Sequence, residues 1–373
     1  MAIYLIMFTA STLILHCEET YKMNRKIRSV LVFIAILLPS LLAGLRSYEI
    51  GSDTAGYGVY WFNQAMRYNN WLQFIKYAKE YSIDYGYATL NYIASRIGND
   101  AHIFFFLLCF LELYLLYFTA KWYFEKKAVA IVFLIYYFLY FNDSMNNMRQ
   151  FPAVLIVLYA YRFIKEKKFL FFIVCVALAS TFHVTALFAI VLYPIAWMAN
   201  NRFSKLNLIF VTVAILAASF SFELVFNMLG SIGINMARYE HYIYDSEGGG
   251  KFIRLILFGG IWILYYLNKE KHGDRFKDGN TFLFYSTISF ASTSLMFIGL
   301  SNYIIRLSYY FDFFVLLYLP SIVKIHGTVK VENGRIKIGT VFIEIMAMLF
   351  FYWLITYVIR NGADTVPYKF FWS

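Results

Sequence analysis

Long apolar runs alternate with short basic segments along this chain, and that alternation predicts its elements. Residues 1–16 (MAIYLIMFTASTLILH) and Ser29–Leu45 carry no Asp, Glu, Lys or Arg. A run of roughly 18 or more such residues crosses a bilayer as a helix, because lipid offers the backbone N–H and C=O groups no other partner. Further runs predict helices over His102–Ala120, Ala128–Phe141, Phe151–Ile164, up to Ser180, up to Ala199, from Leu208, and over Phe252–Leu267, Thr281–Leu300, Leu307–Val323 and Ile338–Val358. The chain is therefore expected to be all-α and polytopic, with about twelve transmembrane helices in a single membrane domain, 1–373. Its opening residues lack the charged segment and cleavage site of a secretory signal, which predicts a retained first helix.

Between Arg46 and Asp100 the pattern changes to mixed aromatic and charged residues, which suits the membrane interface. Trp61–Tyr81 is expected to lie along the membrane and Tyr85–Ile97 to be interfacial or re-entrant, making 46–100 an extracytoplasmic, interfacial region. A second extracytoplasmic loop is expected at 224–250, ending in the triple glycine of DSEGGGK. Sidedness follows from Lys and Arg, which accumulate in short cytoplasmic loops. Six segments expected inside, among them KMNRKIR at 22–28 and KWYFEKK at 121–127, hold 21 of the 33 Lys and Arg residues. The opposite side and its helix ends hold eight arginines but only four lysines, so that face selects for guanidinium.

Composition agrees with this architecture: 15% of residues are charged, against about 25% in soluble domains, and mean hydropathy is +0.59. The net charge of +11 reflects sorting of basic residues across a membrane, and no nucleic-acid partner is expected. Cys17, Cys109 and Cys175 are scattered without a CxxC pair, so neither a disulfide nor a metal site is expected. Phosphate-binding, zinc-protease, serine-hydrolase and dinucleotide motifs are absent from the sequence, and no cofactor is expected.

Candidate chemistry gathers where the second apolar run ends, in RSYEIGSDTAGY at 46–57. Guanidinium presents a planar fork of donors that binds phosphate oxygens bidentately and keeps its charge when partly desolvated. Arg46, Arg149 and Arg306 each stand at an outer helix boundary and are the candidate ligands for a lipid phosphate or pyrophosphate. Two residues compete as general base. His183, in ASTFHVTAL, has an ordinary pKa of about 6.5, and Asp53 is a carboxylate at the bilayer edge, where desolvation raises its proton affinity. Asp312 and Glu112 lie inside apolar helices and must face a cavity or a partner.

RSYEIGSDTAGYGVYWF resembles the arginine, glycine, Asp-Thr, tyrosine signature of the EpsG-like branch of Wzy-type bacterial polysaccharide polymerases. The resemblance continues through NMRQFPAVLIVLYAYRFIKEKK, ALASTFHVTAL, IIRLSYYFD and the closing TVPYKFFW, in order, across nearly the whole chain. One departure is Ser52, where a threonine more usually precedes Asp-Thr. The resemblance implies a membrane glycosyltransferase of GT-C-like architecture at the outer face of the bacterial inner membrane. It would transfer a growing O-antigen, capsule or exopolysaccharide chain from undecaprenyl pyrophosphate to a new lipid-linked repeat. Arg46, Arg149 and Arg306 would hold the pyrophosphate, Asp53 or His183 would deprotonate the acceptor, and Thr54, Tyr57, Gln150, Tyr309 and Tyr310 would bind substrate. Donor and acceptor lipid-linked glycans, membrane lipids and a chain-length regulator are the partners it implies. The rival readings are a lipid-linked oligosaccharide flippase, which would need a cationic path through the bilayer, and a ligase with a different acceptor.

Overall fold

The computed structural model describes residues 1–125, 128–220, 249–297, 303–326, 329–332 and 335–372. Six of its helices are long and apolar enough to cross a membrane: Ala2–Thr20, Arg25–Gly44, His102–Phe124, Phe252–His272, Arg306–His326 and Thr340–Ile359. Four shorter apolar helices, Val129–Leu139, Phe169–Ser180, Val184–Ala199 and Ser204–Ala214, accompany them. The all-α polytopic expectation holds, with one small exception. The polar segment expected at 324–337 contains an antiparallel hairpin in which β1 (Val329–Glu332) pairs with β2 (Arg335–Ile338). The expected 224–250 loop lies outside the described residues as far as residue 248, and Gly249 begins a helix.

Packing divides the chain into two compact units, Met1–Leu187 with Thr328–Ser373, and Phe188–Gly327. The first unit contains α1 (Ala2–Thr20), α2 (Arg25–Gly44), α3 (Tyr60–Met66), α4 (Trp71–Glu80), α5 (Tyr85–Ile97) and α6 (His102–Phe124). It continues through α7 (Val129–Leu139), α8 (Phe141–Ser144), α9 (Gln150–Lys165) and α10 (Phe169–Ser180). Thr340–Trp353 then returns to it from the far end of the chain. Asn24 starts α2 by accepting Ile27 N at 2.9 Å, the side-chain cap that an orphan helix-start N–H requires.

The centre of this unit is aromatic. Phe8 stacks on Tyr137 at 4.7 Å, while Tyr4 meets Phe141 and Trp353 edge-on. These offset and T-shaped arrangements are the ones the ring quadrupole favours. Several polar groups inside the helices bond to neighbouring helices, where lipid offers no partner. Ser11 hydroxyl donates to Ala35 O at 2.7 Å, and Tyr136 hydroxyl donates to Glu112 at 3.1 Å, so the intrahelical carboxyl foreseen as needing a partner has one.

The 46–100 region is built from short helices. Trp61, Phe62, Phe74 and Tyr87 from α3, α4 and α5 bury against Phe104 and Phe105 at the start of α6. Helix α4 buries Phe74 and Ala78, half-buries Ile75 and Tyr77, and exposes its other residues. In the second unit, Tyr285 packs on Phe314 at 4.4 Å and Tyr265 on Tyr318 at 5.0 Å. Asp312 there is fully buried, ion-paired with Arg254 and hydrogen-bonded by Ser289 and Ser308.

Candidate functional site

The stretch that follows α2 is shaped by one glycine, one threonine and one arginine. Gly51 has φ +89°, and a Cβ there would meet Asn146 Oδ1 at 2.5 Å, so the position excludes L side chains on both counts. Thr54 hydroxyl donates to Ile50 O at 2.6 Å and accepts from Arg46 Nε and Nη2 at 3.4 and 3.3 Å. Arg46 also donates to Ala43 O at 2.7 Å and Met145 O at 3.2 Å, and its guanidinium lies 4.1 Å from the Phe105 ring centre. Burial lowers the Arg46 pKa to about 10, which still leaves it cationic at neutral pH. Arg46, expected as a pyrophosphate ligand, thus directs its donors at protein acceptors.

Residues Thr54–Val59 then form a π-helical turn in which Tyr57 N and Gly58 N both donate to Asp53 O, at 3.1 and 3.0 Å. A single π-turn inside helical structure is unusual and recurs at functional sites. It leaves Asp53 exposed at the turn's start and sets Tyr57 half-buried on the other side. Against Tyr57 stands Arg149, which precedes α9. The Arg149 guanidinium lies 5.1 Å from the Tyr57 ring centre, and Nη1 donates to Asp84 Oδ2 at 2.9 Å. Tyr57 in turn packs on buried Tyr87, ring centres 5.4 Å apart. Burial foremost, then neighbouring Tyr57, holds the Tyr87 hydroxyl well above its ordinary pKa.

His183 belongs to the next corner. Gly86 N, at the start of α5, donates to Thr181 O at 2.6 Å, and a Cβ on Gly86 would meet Thr181 Oγ1 at 2.7 Å and the Phe182 ring at 2.8 Å. Asp84 and the turn leading to His183 are therefore held to the same helix end. His183 is buried, with Nδ1 2.6 Å from Thr185 Oγ1 and accepting Thr185 N at 3.3 Å. A backbone N–H can only donate, so Nδ1 is an acceptor and the neutral ring carries its proton on Nε2.

The structure thus brings Tyr57, Tyr87, Arg149 and Asp84 together, with Asp53 and Thr54 on the turn that leads to Tyr57 and Arg46 bonded to Thr54. Gln150 opens α9 and is buried. Arg306, Tyr309 and Tyr310 belong to the second unit. There Arg306 is half-buried, Tyr310 is buried, and the Tyr309 ring lies 5.1 Å from the Arg254 guanidinium. Sequence reasoning missed Asp84, whose only signal is a carboxylate directly before an apolar helical run. It also missed Asn142 and Asn146, which bind the chain's last segment. Asn146 Nδ2 donates to Ala363 O at 2.8 Å, and Asn142 Nδ2 donates to Thr365 Oγ1 at 2.7 Å. No cluster of three or more metal-ligating side chains occurs among the described residues.

Fold and site together define a polytopic helical membrane protein with an arginine, carboxylate and tyrosine cluster beside the helices of the 46–100 region. Residues 29–370 match the EpsG family, so the chain belongs to that family, whose role is polymerase-type polysaccharide biosynthesis. No curated protein and no solved structure shows significant similarity to it.

Proposed function

We propose that this protein is a glycosyltransferase that polymerises undecaprenyl-pyrophosphate-linked repeat units at the outer face of the bacterial inner membrane. The observation that carries the reading is Arg149, half-buried between the Asp84 carboxylate and the Tyr57 ring, beside the helices of the 46–100 region. Asp84 and Tyr57 fix the direction of the guanidinium before substrate arrives. A preorganised cation at low dielectric stabilises charge that develops on a departing pyrophosphate. Arg306, with Tyr309 and Tyr310, is the second cationic element of the reading and stands on its motif and the expected topology.

Asp53 is the general base in this proposal. It is solvent-facing and acts as an acceptor once ionised, whereas His183 is buried and its Nδ1 is engaged by Thr185. Arg46 takes the role of organiser, holding through Thr54 the loop that carries Asp53 and Tyr57. Gln150 contributes from the start of α9.

Purified protein supplied with short lipid-linked repeats should build a ladder of longer glycans. Arg149→Ala and Asp53→Asn should each lose chain extension by a factor of about 10² or more while inserting normally, and His183→Ala should retain a measurable fraction. Normal-length polymer from Arg149→Ala would overturn the pyrophosphate assignment. Repeats that cross the bilayer without lengthening would instead identify a transporter.

A further inference from the structure

At the end of the first unit that carries KMNRKIR and Lys121, α2 and α6 line a cleft of about 660 Å3. Its walls change character along its length. Arg25, Arg28, Ser29 and Lys121 stand at one end, and Val32, Phe33, Ile36, Phe110, Tyr114 and Phe118 continue it. The apolar part is an ordered ladder. Phe106, Phe110, Tyr114 and Phe118 recur every fourth residue on α6, with successive ring centres 5.9, 6.2 and 4.5 Å apart, and Phe33 closes on Phe110 from α2 at 6.0 Å. Spacing of four residues puts them on one helix face.

The basic end is also organised. Arg28 pairs at 2.9 Å with Glu18, whose side chain is fully buried, so that acid neutralises Arg28 and leaves the charge of Arg25 to the cleft. Lys121 Nζ is held 5.2 Å from the Tyr117 ring centre, one turn beyond Phe118. An apolar slot with a cationic mouth is complementary to one occupant, a phosphodiester head carrying an acyl chain.

We propose that this cleft is a binding site for an anionic glycerophospholipid of the leaflet on the basic side. Its phosphodiester is bound by Arg25 and Lys121, and one acyl chain lies along the Phe110, Tyr114 and Phe118 ladder. The site is separate from the cluster around Arg149 and does not depend on the polymerase reading.

The test is native mass spectrometry of the full chain in mild detergent, titrated with phosphatidylglycerol or with phosphatidylcholine of the same acyl chains. Wild-type protein should hold phosphatidylglycerol about thirtyfold more tightly, since each of the two basic residues near anionic lipid contributes about 1 kcal/mol and every 1.4 kcal/mol is tenfold. Arg25→Gln/Lys121→Gln should abolish that preference without changing the unfolding temperature, and Tyr114→Ala/Phe118→Ala should weaken both lipids. Arg28 is left intact because it neutralises Glu18. Should the double charge variant fail to fold, the exposed Arg25→Gln alone should lower the preference severalfold. Equal retention of both lipids by wild type, or an unchanged preference in the charge variants, would overturn the proposal. So would displacement of phosphatidylglycerol by glycerol phosphate at equal concentration, which would show that the head group alone suffices. A lipid-insensitive dimer in the same spectra would assign the cleft to a second copy of the chain instead.

Discussion

Thr54 shows how a single hydroxyl can tie a loop together. It has no exposure, donates to Ile50 O and accepts two N–H groups of Arg46, so one oxygen closes the loop between α2 and the π-turn. Removing an acceptor from a buried charged donor costs about 1 to 3 kcal/mol. Thr54→Val, nearly the same shape without the hydroxyl, should therefore lower stability by about 2 kcal/mol in thermal unfolding in detergent, and Thr54→Ser should recover most of it. Equal unfolding temperatures for Thr54→Val and wild type would show that Arg46 finds other acceptors. At Glu49, fully exposed, the hydrogen bond from Lys369 and its charge hold the carboxyl below its usual pKa. That ion pair is screened by water and adds little to stability.

At the scale of helices, the buried pair Arg254–Asp312 joins Gly249–His272 to Tyr303–Asp312 across apolar surroundings. Two charges in such a place are tolerated because each neutralises the other and Ser289 and Ser308 satisfy the carboxylate further. Breaking one partner leaves an uncompensated charge. Asp312→Asn should therefore destabilise the protein by about 3 to 5 kcal/mol, seen as a lower unfolding temperature. Arg254→Met/Asp312→Leu, which removes both charges, should regain much of that loss. A double variant no better than Asp312→Asn would mean that the pair does more than hold helices together.

Over the whole molecule, the chain's last segment is fastened to its first half. Arg46 bridges to Phe370 in antiparallel fashion, with Ser47 N donating to Lys369 O at 2.9 Å and Phe371 N to Leu45 O at 3.1 Å. Gly51 N donates to Asp364 O at 2.8 Å, Tyr4 hydroxyl to Thr365 O at 2.7 Å, and Trp353 Nε1 to Asn142 Oδ1 at 2.8 Å. The tail thus backs the loop that carries Asp53 and Tyr57. Asn142→Leu deletes the partner of both Thr365 and Trp353 and leaves their polar atoms buried. It should cost about 2 kcal/mol or more and free the tail to limited proteolysis, with cleavage after Lys369 as the readout. A tail as protected as in wild type would overturn this account of what holds it.

Helix positions and membrane class were legible in the primary structure because lipid imposes one requirement on every spanning residue, and a run of apolar side chains satisfies it locally. Asp312 and Glu112 could be recognised as needing partners for the same reason, since a carboxyl in such a run is costly wherever it points. Boundaries were less legible. Ala128–Phe141 became an 11-residue helix followed by a short α8, and 46–100 a packed set of short helices, because tertiary burial and not local pattern stops those elements. Which partners the polar residues take was decided only in three dimensions. Asp84 meets Arg149 across 65 positions, and Asn142 meets Thr365 across 223. A hydrogen bond between residues so far apart depends on the path of every intervening helix, and no local spacing records that path. The sequence by itself determined where RSYEIGSDTAGY begins and what chemistry it carries. Only the tertiary structure turned Arg46 inward to Thr54 and Met145 and set Arg149 against Tyr57, because desolvated donors go to whichever acceptors the packing presents.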